Sequence, residues 1–150
     1  MSEQNVIISI KSVQSYDGQE EDAIELVTEG TLIAEGEDRF TLRYQESQVT
    51  GLEGTLTTFR IEPERITLTR LGRVNSEMVF ELGRRHLSMY DTPYGALAME
   101  VHTRVLAAGL DERGGALRIV YDLELDHALA GRNAFEIRVQ EARRDTGIDT

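Results

Sequence analysis

Apolar and polar residues alternate most regularly between Leu97 and Leu125. On the outgoing arm Leu97, Met99, Val101, Thr103 and Val105 share one side, while Ala98, Glu100, His102 and Arg104 share the other. On the returning arm Leu117, Ile119, Tyr121, Leu123 and Leu125 alternate with Arg118, Asp122, Glu124 and Asp126, with Val120 among the polar set. A period of two residues over such lengths predicts antiparallel strands with one buried and one solvated face. Between the arms, Asp111-Glu112-Arg113-Gly114-Gly115 predicts a tight reversal, where glycine supplies positive φ. Matching the buried faces leaves two registers, one setting His102 opposite Asp122 and the other setting it opposite Glu124.

The same alternation recurs along the rest of the chain. Val6, Ile8 and Ile10 define a first strand running to Val13, and Asp17-Gly18 signals the turn after it. Ile24 to Ala34 reads as a second strand with Gly30 inside it, where a glycine predicts a bulge or a barrel corner. Phe40, Leu42 and Tyr44 alternate in a third strand. A looser connection from Glu46 to Gly54 follows, then strands at Thr55–Glu62 and Ile66–Leu71. Val74, Ser76, Met78, Phe80 and Leu82 line one face of a sixth strand, and His86–Tyr90 forms a seventh. Asp91-Thr92-Pro93-Tyr94-Gly95 turns the chain into the long hairpin. A last strand covers Asn133–Glu141 and carries Phe135, Ile137 and Val139 on one face. No segment carries a 3.6-residue apolar stripe long enough for a helix. Strands joined mostly by short turns predict a single all-β domain over residues 1–150, with a frayed tail at 143–150. The long strands favour one antiparallel up-and-down β-barrel of about eight to ten strands over a sandwich, because closure removes exposed edges.

Composition narrows the function. The chain has 150 residues, a formal charge of -11 and no cysteine. The acidic balance disfavours nucleic acid and anionic membrane surfaces as partners. The lack of cysteine excludes disulfides, thiol catalysis and thiolate zinc sites. The N-terminus lacks a secretory pattern, and a cytoplasmic location is the expectation.

Motifs for chemistry are sparse. His86, His102 and His127 have no metal-ligand spacing, so neither a metal nor another cofactor is expected. Gly-Leu-Glu-Gly at 51–54 lacks phosphate-loop spacing, and there is no serine-hydrolase elbow. Glu20-Glu21-Asp22 reads as a solvated loop, and Asp122, Glu124 and Asp126 as a solvent-facing ladder. His102 with a cross-strand acid reads as a surface pair, because no nucleophile stands beside it. A non-catalytic role is therefore expected.

Three segments carry a family resemblance: IISIKSVQSYDGQEEDAIELVTEG, the Thr-Pro-Tyr-Gly-x-Leu turn from Thr92 to Leu97, and LDERGGALRIVYDLEL. They resemble the YwiB-like proteins, small bacterial proteins of a domain-of-unknown-function family, over roughly Val6 to Val139. The resemblance implies a calycin (lipocalin-like) barrel and no agreed activity. The chain has no tryptophan, whereas lipocalins typically carry Gly-x-Trp near the first strand. The expectation is a barrel whose interior binds a small, mostly apolar molecule. Tyr44, Met78, Met99, Thr103 and Tyr121 would be its adaptable or polar lining. The alternatives are an interior filled by those side chains, and a protein-interaction or structural module using the acidic exterior or the barrel rim.

Overall fold

Alternating β-branched and aromatic residues build ten strands in the computed structural model, which describes residues 2–15, 22–47, 52–72, 75–125 and 128–142. These are β1 (Ser2–Ser15), β2 (Asp22–Ala34), β3 (Phe40–Gln45), β4 (Leu56–Ile61), β5 (Ile66–Leu71), β6 (Asn75–Phe80), β7 (Arg85–Thr92), β8 (Gly95–Asp111), β9 (Gly114–Leu125) and β10 (Ala128–Glu141). All pairings are antiparallel, and each strand lies beside its sequence neighbours. β1 also pairs with β10, which closes the meander into a barrel. The expectations for the Asp17-Gly18 turn, Glu20 and Glu21, Gly51, Val74, Asp126, His127 and the tail at 143–150 lie outside the described residues.

The barrel has a long side and a short side. β1, β2, β8, β9 and β10 run 12 to 17 residues, whereas β3 to β6 have 6 each. On the short side the inward residues fall into rows across the strands. Phe40, Ile61, Ile66 and Phe80 form one row, and Leu42, Phe59, Leu68 and Met78 the next. Both rows are buried. From the long side Ile8, Ile10, Ile119, Ile137 and Val139 close over them. Burying this aliphatic and aromatic surface is the main force holding the barrel together. Phe80 packs on Tyr121 with ring centres 4.9 Å apart, and Phe135 lies 6.1 Å from Tyr121 and 6.2 Å from Phe59.

The β8–β9 hairpin takes the first of the two registers, with His102 opposite Asp122. It departs from plain alternation once. The register shifts between Thr103 and Val105, so Arg104 is an extra residue on β8. Beyond this bulge Leu106, paired with buried Ile119, packs against the core. Val105 does not continue the buried set expected of it, because an extra residue reverses which side chains face inward. The reversal itself is made by Glu112-Arg113, with Asp111 Oδ1 accepting a hydrogen bond from Arg113 N at 2.8 Å. Gly114 and Gly115 begin the next strand with φ of 131° and 140°. A side chain at Gly115 would strike the Gly109 carbonyl.

Gly30 makes no bulge, since its pairing with Val6 is in register. It is needed for space instead. A Cβ there would lie 2.5 Å from both the Arg43 carbonyl oxygen and Ile8 Cδ1. It stands immediately before Thr31, where β2 begins to pair with β3 as well as β1. Two further residues of the expected buried faces emerge toward solvent: Leu82 beyond the end of β6, at 61% exposure, and Leu97 near the start of β8, at 37%.

Candidate functional site

The same alternation, carried one row further, brings polar side chains into the interior. Above Leu42, Phe59, Leu68 and Met78 the next inward row is Tyr44, Thr57, Arg70 and Ser76. One step beyond Tyr44 stands Glu46, whose backbone N–H donates to the Thr55 carbonyl at 2.9 Å. An apolar barrel therefore carries a polar layer toward one end. The Glu46 side chain is 1% exposed and the Arg70 side chain 16%.

This layer borders a cavity of about 380 Å³. Tyr44, Glu46 and Arg70 supply its polar end, with Ser12, Gln14 and Asn133 on the opposite wall. Ile10, Leu26, Met78, Met99, Leu123 and Phe135 supply much of the apolar lining. The size lies within the range of small-molecule sites, and an apolar wall with a few polar groups is their usual composition.

The electrostatics of the polar end follow from burial. Thr57 Oγ1 donates a hydrogen bond to Glu46 Oε2. Tyr44 is hydrogen-bonded to Glu46 as well. Arg70 Nε stands 3.9 Å from Glu46 Oε2, close enough to neutralise the carboxylate and too far for a hydrogen bond. Arg70 Nε is buried and has no hydrogen-bond partner. Burial and the neighbouring Glu46 push the Tyr44 hydroxyl well above its ordinary pKa. Burial raises that of Tyr121 to about 12, with Arg70 opposing. Both phenols stay protonated at physiological pH.

Of the residues expected in the interior, Tyr44, Met78, Met99 and Tyr121 line this cavity together. Thr103 lies on the same side of the barrel, paired with Tyr121 in the adjacent strand. It is buried, but it is not part of the lining, and its hydroxyl has no hydrogen-bond partner. Glu46 and Arg70 were not foreseen. Continuing the alternation from Phe40, Leu42 and Tyr44 gives Glu46, and from Ile66 and Leu68 gives Arg70. A larger groove, about 830 Å³, is lined by outward side chains including Lys11, Glu25, Arg118 and Glu136. The Arg118–Glu136 pair spans part of it at 3.9 Å. It is a feature of the solvated exterior.

His86 and His102 belong to the outer parts of the molecule. His102 faces Asp122 across the hairpin, but Asp122 accepts hydrogen bonds from Arg104 Nε and Arg132 Nε, each at 2.8 Å. His86 Nε2 lies 2.8 Å from Glu81 Oε1, and this contact is the largest cause of a lowered Glu81 pKa. Among the described residues no three histidine or carboxylate side chains are grouped as metal ligands.

Comparison with known proteins agrees with this architecture. Over 120 residues the chain is 26% identical to the uncharacterised β-barrel protein YwiB of Bacillus subtilis (strain 168), covering 80% of this chain and 82% of that one. The crystal structure of the ywiB protein from Bacillus subtilis superposes with a TM-score of 0.82 at 22% identity, covering 94% of each chain. The family described as a domain of unknown function, DUF1934, matches residues 8–137. An all-β meander closed into a ten-stranded barrel, matched over most of its length in sequence and fold, makes this chain a YwiB-like member of the DUF1934 family.

Proposed function

We propose that this barrel is a non-catalytic binding protein whose interior holds a small amphipathic molecule, apolar over most of its length. The observation that carries this reading is the cavity, with its apolar wall and one buried polar end. A pure packing role would not call for a carboxylate and a guanidinium, Glu46 and Arg70, inside a mainly apolar barrel. Burying both charges costs free energy that a hydrophobic pair of similar size would save. Met78 and Met99 in the wall suit a site that adapts to its occupant, because the unbranched thioether repacks readily. The outward positions include Lys11, Glu25, Arg60, Glu77 and Arg138, which suits a barrel surrounded by water better than one facing lipid.

Titration with N-phenyl-naphthylamine, whose emission rises in apolar surroundings, tests this. The wild type is expected to enhance the emission saturably at one site, and Met99→Trp, which fills the cavity, to abolish the enhancement while retaining the β-sheet circular dichroism. Equal enhancement by a folded Met99→Trp protein, or none by the wild type, would overturn the proposal.

A further inference from the structure

The two charges at the end of the cavity differ in sign and stand 3.9 Å apart, so this end of the site is neutral as a whole. Glu46 has Thr57 and Tyr44 as hydrogen-bond partners. Arg70 lines the cavity with a buried Nε–H that donates to nothing. A fixed guanidinium can donate at several positions, and a carboxylate offers several lone-pair sites. The end of the cavity therefore presents both donor and acceptor capacity, with no net charge for a ligand to complement.

From this we infer that the Glu46–Arg70 pair selects an uncharged, hydrogen-bonding head on an apolar body, with a primary amide as the best-matched class and an alcohol next. The inference rests on the interior-binding reading above and specifies its ligand. A primary amide accepts from Arg70 through its carbonyl and can donate to Glu46 through its NH2. A carboxylate head would satisfy Arg70 but add a second negative charge beside Glu46. An ammonium head would satisfy Glu46 and add a second positive charge beside Arg70. In either case a charge is left uncompensated in a site screened from water, where the cost is greatest. A polar site that loses a required partner discriminates far more strongly than an apolar wall does.

The test compares three ligands with one apolar chain: decanamide, decanoate and decylamine, each titrated calorimetrically at neutral pH below its micellar concentration. For the wild type, decanamide is expected to bind at least about tenfold more tightly than either charged ligand. Glu46→Gln removes the negative member of the pair. In that variant decanoate should gain and overtake decanamide, while decylamine should weaken further. If decanoate or decylamine binds the wild type as tightly as decanamide, head selection by a neutral pair is wrong although interior binding stands. The same holds if Glu46→Gln folds and leaves the order of the three unchanged. If the folded wild type binds none of them, the interior-binding reading falls and this inference with it. The wild-type comparison stands without the variant, should Glu46→Gln fail to fold.

Discussion

Gly30 and Glu46 are single positions where packing and chemistry make opposite demands. At Gly30 the neighbours leave no room for a methyl group, because Ile8 Cδ1 and the Arg43 carbonyl already occupy it. Gly30→Ala is therefore expected to destabilise the barrel by about 1–3 kcal/mol, the usual cost of overpacking. Gly109→Ala is the control, since its Cβ would meet only the Ala116 carbonyl at 3.9 Å and should change stability by less than about 0.5 kcal/mol. Urea midpoints of the two variants check this, and equal midpoints would contradict it. The need for Gly30 was visible in the sequence as a glycine inside a strand, but its cause was not. A contact between a Cβ on β2, the backbone of β3 and a side chain of β1 depends on how the three strands curve together, which no local pattern encodes. Tyr44, Met78, Met99 and Tyr121 were legible as inward residues because the two-residue period holds through each of their strands. Glu46 and Arg70 obey the same period. They escape notice because a charged residue at the end of an apolar run normally marks the passage into solvent, and here the run continues into a cavity.

Among the elements, the β8–β9–β10 sheet shows what holds neighbouring strands in register on the wet face. Glu100 and Glu124 stand directly opposite each other, an unfavourable arrangement for like charges. Arg85 from β7 relieves it by bonding to both, at 2.8 and 3.2 Å. Asp122 of β9 in turn takes Arg132 from β10 and Arg104 from the β8 bulge. The hydrogen bond from Arg132, followed by that from Arg104, holds the Asp122 carboxyl below its ordinary pKa of 3.8. A depressed folded pKa means the unfolded chain binds the proton more readily. The stabilisation is thus fully present above about pH 4 and is lost as pH falls through the lower folded value. Asp122→Asn should cost about 1 kcal/mol at neutral pH, and the difference from wild type should close in strong acid. Thermal melts across that range check the sign, and a gap that widened on acidification would contradict it. The hairpin could be read from its alternation and its glycines, down to a choice between two registers. The bulge could not, since Arg104 is an ordinary residue in an ordinary place. Only the fit of Leu106 over the core, which needs the partner strands, shows that one residue has been added.

At the scale of the whole molecule, ten strands in a closed ring bury one apolar interior and leave no central strand with an unpaired side. The short strands from β3 to β6 bring a polar row to one end of that interior, and the long sheet supplies the facing wall. Closure was legible because consecutive strands linked by short turns pair as neighbours, and an antiparallel sheet of this size is best relieved of its edges by meeting itself. Whether side chains would fill the centre was not legible, because cavity volume is a small difference between the barrel radius and the summed side-chain volumes. The space inside the ring is the proposed binding site. The methionines report on it from fixed places: Met78 and Met99 line the cavity, whereas Met89 lies outward and is 53% exposed. The most direct measurement is the carbon–proton NMR spectrum of protein labelled at the methionine methyl groups, followed during titration with decanamide. The Met78 and Met99 methyl signals are expected to shift together and saturate with a common affinity while Met89 stays in place. Movement of Met89 with Met78 and Met99 unchanged, or no saturable shift of any of them, would contradict it.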